Sequence, residues 1–134
     1  MMSNPPKIFL VDDDLDDAML LKEAIQSTND RFTFEHSLDG RTALELLKKA
    51  ATDHELPCLV VLDINMPVLD GRELLAILKK EEELKKVPVV VFTTSSNPAD
   101  LNYCKKFGVE LIVKPFNMSM LKDIAKKILP YCAA

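Results

Sequence analysis

The sequence predicts an open, doubly wound α/β domain built on a parallel five-stranded sheet, and three observations predict it. Apolar runs of strand length at 8–11, 59–62, 89–92 and 111–113 are spread along the chain, and each is followed at once by a reactive polar residue. Strand patterns alternate strictly with helical ones, the order that gives parallel pairing through right-handed crossovers. At 134 residues, with 48% hydrophobic and 28% charged, the chain has the composition of one domain with its own core.

After a tail over residues 1–6, Lys7–Val11 reads as the first strand. A helix follows from Asp14 to about Ser27, with acidic residues in its first turn, where the macrodipole favours them. Phe32 to His36 reads as the second strand, and Leu38-Asp39-Gly40 as a turn. Arg41 to Ala51 is a helix with Ala43, Leu44, Leu47 and Ala51 on one apolar face. Pro57 introduces the third strand, residues 59–62, apolar throughout and so expected to be covered on both sides. Beyond the loop 63–70, Gly71 leads into a helix over Arg72 to Glu83. Pro88 introduces the fourth strand, which ends at Thr93-Thr94. Ser96 or Asn97 then caps a helix with Pro98 at its first position, and that helix stops at Gly108. Glu110 to Val113 is the fifth strand. In the last helix Leu121, Ile124, Ala125, Ile128 and Leu129 form one stripe, opposite Lys122, Asp123, Lys126 and Lys127. Residues 131–134 read as a C-terminal tail.

The net charge is −4, with acidic residues gathered at Asp12–Asp17 and lysines gathered late, at Lys105, Lys106, Lys114, Lys122, Lys126 and Lys127. No basic stripe marks a nucleic-acid partner. The longest apolar runs, of about five residues, are too short to span a membrane. The N-terminus has neither the charged nor the apolar region of a signal peptide. Cys58, Cys104 and Cys132 are odd in number and widely spaced, so neither a disulfide framework nor a zinc site is expected. Cys58 reads as core and Cys132 as an exposed thiol, in a reducing cytoplasm. His36 and His54 read as surface or structural residues. Gly40, Gly71 and Gly108 are the only glycines, too few for a Walker loop or a dinucleotide fingerprint.

In open parallel sheets, ligands bind beyond the carboxyl ends of the strands at the switch point. The ends here carry Asp12-Asp13, Asp63, Thr93 and Lys114. In a 2-1-3-4-5 order the first and third strands meet at that point, bringing three carboxylates together. They repel one another unless a cation joins them, and hard oxygen ligands in this number suit Mg²⁺. Asp63 is then a candidate nucleophile toward a phosphoryl group. Lys114 offers a compact charge to a phosphoryl oxygen, and Thr93 a hydroxyl, with Thr94 as its competitor. Asp14 reads as a helix cap before a metal ligand, and Asp70 as shaping the loop before Gly71. Asp12, Asp14, Asp16 and Glu23 also match alternate positions of an EF-hand loop. That reading fails because Asp17 stands where the loop needs glycine, and because a strand precedes it.

The segments Leu10-Val11-Asp12-Asp13, Val61 to Pro67, Asp70-Gly71, Pro88 to Thr93 and Lys114-Pro115-Phe116 together resemble the signature of the response-regulator receiver domain, over roughly residues 7–129. The resemblance implies a flavodoxin-like (βα)5 three-layer sandwich with order 2-1-3-4-5, of which flavodoxin and the chemotaxis receiver are familiar examples. It implies that Asp63 accepts a phosphoryl group from the phosphohistidine of a sensor histidine kinase or phosphotransfer protein. Asp12, Asp13, Asp63 and the backbone carbonyl of Asn65 would hold Mg²⁺, while Thr93 and Lys114 bind the phosphoryl oxygens. Asn65 and Ser95 would flank the group and tune its lifetime. A cis Lys114–Pro115 peptide is also implied, an isomer that only X-Pro bonds reach cheaply. Asp16-Asp17-Ala18, Gly71 to Leu75 and Val91 to Ser95 are most similar to stand-alone receivers found beside bacterial phytochromes. One position departs from the family: Leu111 stands three before Lys114, where an aromatic commonly swings inward. Readout is therefore expected through the loop after Thr93 and the helix that follows.

The expected function is a single-domain response regulator over residues 1–134, cytoplasmic, acting through a downstream protein. Its docking face is formed by the fourth helix, fifth strand and fifth helix, as a monomer or a phosphorylation-linked homodimer. It is not expected to be an enzyme beyond slow loss of its own acyl phosphate. The alternative, a small Mg²⁺-dependent aspartyl phosphohydrolase, needs an acid/base Asp two residues after the nucleophile, where this chain has Asn65, and a cap over its substrate.

Overall fold

Strands of unbroken apolar residues must be covered on both faces. The computed structural model, which describes residues 5–66 and 68–133, covers them with a helical layer on each side. The elements run β1 (Lys7–Val11), α1 (Leu15–Thr28), β2 (Thr33–Ser37), α2 (Gly40–Thr52), β3 (Leu59–Leu62), α3 (Gly71–Lys80), β4 (Val89–Thr93), α4 (Pro98–Lys106), β5 (Glu110–Val113) and α5 (Met118–Ile128), ending in a 3-10 helix at Leu129–Ala133. All strands are parallel in the order β2-β1-β3-β4-β5. The registers Val11↔Leu62 and Thr93↔Val113 align the carboxyl ends along one rim.

Side chains alternate across a strand, and the sheet therefore divides the interior in two. Phe9, Val11, Val60, Leu62, Val89 and Val91 pack against α2, α3 and Cys104 of α4. Ile8, Leu10, Val61, Val90 and Phe92 pack against α1 and α5. All five α-helices begin on an Asx side chain that accepts a backbone N–H: Asp14 from Asp17, Asp39 from Thr42, Asp70 from Glu73, Asn97 from Ala99 and Asn117 from Met120. Each such cap stabilises a helix by about 1 kcal/mol. α4 ends as its glycine predicts, with Gly108 at φ 69, where a side chain would be strained.

Two boundaries differ from the sequence reading. α3 stops at Lys80 rather than Glu83, because Glu81, Glu82 and Glu83 would place negative charge at the negative end of the helix dipole. The chain turns there and inserts Leu84, 1% exposed, into the core. Of the residues read as a C-terminal tail, 131–133 instead continue from α5 in the 3-10 helix, where the Tyr131 hydroxyl donates to Glu110 at 2.8 Å, and 134 lies outside the described residues.

The reading of Cys58 and Cys132 as unlinked thiols is corrected. The two form a disulfide, with Cα atoms 4.8 Å apart and a sequence separation of 74 residues. The 3-10 helix brings Cys132 back over the edge where β3 begins, a proximity that spacing alone does not reveal. Cys104 is free and buried. Among the described residues no helix is long and apolar enough to cross a membrane.

Candidate phosphoryl and metal site

β1 ends at Val11, and Asp12 continues its line, donating its backbone N–H to the Ser37 carbonyl at 3.0 Å. The Asp12 side chain is buried. Its Oδ1 accepts the Asp14 N–H at 2.9 Å, and its Oδ2 lies 2.8 Å from Lys114 Nζ. Asp13, next in the chain, is exposed. Asp63 follows β3 and is buried, with its N–H bonded to the Val11 carbonyl at 2.9 Å. Its Oδ1 accepts the Asn65 N–H at 3.2 Å and its Oδ2 accepts from Lys114 Nζ, also at 3.2 Å. Gly71 lies under this loop, so close that a Cβ there would overlap the Asp63 carbonyl.

Carboxylate oxygens of Asp12, Asp13 and Asp63 lie within 4.8 Å of one another. Lys114 Nζ reaches Asp12, Asp63 and also Asp17 of α1, the last at 2.9 Å. Burial works against its charge. Hydrogen bonds to Asp12 and Asp17, with the field of Asp63, outweigh that and hold the ammonium above the usual lysine range. Asp12 behaves oppositely: burial pushes its carboxyl up to about 6, against the pull of the Lys114 and Asp14 hydrogen bonds. One ammonium thus leaves the buried carboxylates under-compensated, and the donor set is hard oxygen. Both facts fit a divalent cation held by Asp12, Asp13 and Asp63.

Thr93 closes β4, fully buried, with its Oγ1 accepting the Ser95 N–H at 3.2 Å. Thr94, its competitor in the sequence reading, is exposed. The Lys114 N–H donates to the Thr93 carbonyl at 2.8 Å, which joins the two phosphoryl-binding candidates through the backbone. The expected cis Lys114–Pro115 bond is not found; among the described residues every peptide is trans. The four-methylene stem of Lys114 reaches the carboxylates from the ordinary isomer, which X-Pro bonds favour by about 0.5–1 kcal/mol. Asp14 and Asp70 cap helices, as read from the sequence. His36 Nε2 lies 3.0 Å from the Asp12 carbonyl, a structural contact.

Several residues have contacts that the sequence does not assign to them. Asp17 reads there as one more acid in a helix's first turn. Asp100, Arg72 and Tyr103 read as ordinary helical residues, yet Asp100 is buried and receives two bonds from Arg72 and one from Ser95. The Ser95 hydroxyl and the Arg72 guanidinium hold its carboxyl below the usual range despite burial. Leu111 packs at the edge of the core that contains Val91. Tyr103 of α4 and Phe107 just beyond it meet edge to face at 5.1 Å, and the Phe92 ring of β4 lies 5.9 Å from Lys114 Nζ.

A parallel 2-1-3-4-5 sheet with an acidic cluster and a lysine at its carboxyl rim defines a class, and the family comparison agrees: the model for the response regulator receiver domain matches residues 8–126. The chain belongs to that family and is the receiver domain of a two-component response regulator, a signalling protein. Among known proteins it is 41% identical to response regulator Rcp1 of Synechocystis sp., over 94% of this chain and 86% of the relative. Its fold matches the phosphorylated cyanobacterial phytochrome response regulator RcpA with a TM-score of 0.86, 35% identity and coverage of 96% and 94%. The Mn²⁺-bound form of Rcp1 matches with a TM-score of 0.81, 31% identity and coverage of 93% and 92%.

Proposed function

We propose that Asp63 is the phosphoacceptor of a receiver acting as a single domain, and that Asp12, Asp13, Asp63 and the Asn65 carbonyl hold Mg²⁺ beside it. The observation that carries this reading is the convergence of Lys114 Nζ on Asp12 and Asp63 at 2.8 and 3.2 Å, on the rim where Asp13 and Thr93 also end. An Asp63 oxygen forms a bond to phosphorus as the P–N bond of a phosphohistidine breaks, and the imidazole nitrogen keeps the electron pair. A bound Mg²⁺ supplies charge neutralisation between the carboxylates and the phosphoryl oxygens. Lys114 takes another phosphoryl oxygen in exchange for part of its carboxylate contacts. Thr93 turns its hydroxyl toward the group and carries the change into the β4–α4 loop.

The donor is a sensor histidine kinase or phosphotransfer protein of the cytoplasm. Resemblance to RcpA favours a kinase of the phytochrome type. Output passes to a downstream protein at the face formed by α4, β5 and α5, as a monomer or as a dimer formed on phosphorylation. Incubation with Mg²⁺ and acetyl phosphate or phosphoramidate should yield an acid-stable, base-labile phosphoprotein. Asp63→Asn should abolish it, and chelation of Mg²⁺ should suppress it. Labelling that survives the substitution would show that another residue is the acceptor.

A further inference from the structure

We propose that Asp100, clamped by Arg72, is a positioning residue that latches the β4–α4 loop and sets how readily Thr93 turns toward a phosphoryl group. This rests on the reading of Asp63 as acceptor and Thr93 as phosphoryl ligand. The Thr93 hydroxyl oxygen accepts the Ser95 N–H at 3.2 Å, so turning it away from the loop breaks that bond. Ser95 is itself held: its Oγ donates to Asp100 Oδ2 at 2.6 Å and accepts the Asn97 N–H at 3.3 Å.

Asp100 lies in the first turn of α4 with 3% exposure, and a buried carboxylate persists only where it is fully partnered. Its partner is Arg72, at the start of α3, whose Nε and Nη2 both donate to Asp100 Oδ1, at 2.8 and 2.6 Å. Arg72 is fixed in turn, because its carbonyl accepts the Tyr103 hydroxyl at 2.9 Å. A continuous set of bonds thus runs from Thr93 through Ser95 and Asp100 to Arg72, two residues after the Asp70 cap that closes the Asp63 loop. Thr94, Ser96 and Asn97 are exposed, which leaves the half-buried Ser95 as the anchor of the loop.

The latch holds the arrangement in which the Thr93 hydroxyl is engaged by the loop, so weakening it raises the population free to turn toward a phosphoryl group. The test compares wild type, Asp63→Asn, Asp100→Asn and Arg72→Lys. The readouts are the rate of acyl-phosphate formation from acetyl phosphate at saturating Mg²⁺, Mg²⁺ affinity by calorimetry, and melting temperature. Asp100→Asn should label roughly fivefold or more faster than wild type, the lower end of the range for a coupling of this kind. Arg72→Lys keeps the charge but not the fork and should fall between them. Mg²⁺ affinity should stay unchanged in both.

A purely structural role would lower the melting temperature without accelerating labelling. If Asp100→Asn does not fold, Arg72→Lys alone decides the matter. Rates equal to or below wild type in the folded variants would overturn the latch. Failure of wild type to label at Asp63 would overturn the acceptor reading beneath it.

Discussion

Asp12 is the residue at which the metal-free site works against the stability of the fold. Burial raises its carboxyl from 3.8 to about 6, so the folded protein binds a proton there more tightly than the unfolded chain does. A group raised in this way contributes stability that is fully present below its unfolded value and is lost as pH rises through its folded value. The window therefore runs from about pH 4 to just above pH 6. Each tenfold change in proton affinity is worth about 1.4 kcal/mol. The rise from 3.8 to about 6 thus corresponds to a loss of about 3 kcal/mol by neutral pH, of which about 2 falls between pH 4 and pH 6. Asp12→Asn removes the titration while keeping the shape and a hydrogen-bonding oxygen. Asp39, Asp100 and Glu110, all held below their usual values, are common to both proteins and cancel in the comparison. The assay is urea unfolding followed by far-ultraviolet circular dichroism, since the chain has no tryptophan, with a chelator present, for wild type and Asp12→Asn across pH 4 to 8. The wild type should lose ground steadily to the variant over the stated window, and Mg²⁺ should restore it while leaving the variant little changed. A gap independent of pH would refute the reasoning, because it would mean that Lys114 compensates Asp12 completely.

Two further outcomes follow from packing and covalent linkage. Gly71→Ala forces a methyl group into the Asp63 carbonyl, and overpacking of this kind costs about 1–3 kcal/mol; urea unfolding should show the loss and acetyl phosphate labelling should slow, whereas normal behaviour in both would mean that the loop yields freely. The Cys58–Cys132 disulfide closes a loop of 74 residues, for which the chain-entropy treatment gives up to about 4 kcal/mol. Unfolded, unreduced protein should titrate one thiol, that of Cys104, and reduced protein three with a lower urea midpoint; three thiols before reduction would show that the bond is absent.

Much of the fold was legible because its signals are local. Apolar runs with no alternation require a sheet covered on both sides, and Pro98 and Gly108 punctuate α4 where the chain turns. Asp14, Asp70 and Asn97 read as caps or loop-shapers because their chemistry acts on the next three residues. The strand-end polar residues were legible through topology, and the structure brings Asp12, Asp13, Asp63 and Lys114 together while placing Thr93 on the same rim. What was not legible acts across long stretches of chain. Asp17 meets Lys114 from 97 residues away, and Arg72 meets Asp100 from 28. The Cys58–Cys132 link belongs to this group too, as it depends on where the end of α5 lands rather than on any spacing of cysteines. The backbone isomer before Pro115 was inferred from family habit, and the reach of the lysine stem made it unnecessary.

The sheet also acts as a partition between two audiences. Thr93 shares its side of β4 with Val89 and Val91, which belong to the half-core beneath α2, α3 and α4. Val90 and Phe92 point the other way, toward α1 and α5. On the proposed reading, a turn of the Thr93 side chain is thus spoken first into the helical layer of α2, α3 and α4. Substitutions buried between α1 and α5 should therefore alter how firmly the molecule stands more than what it says, and those beneath α4 the reverse.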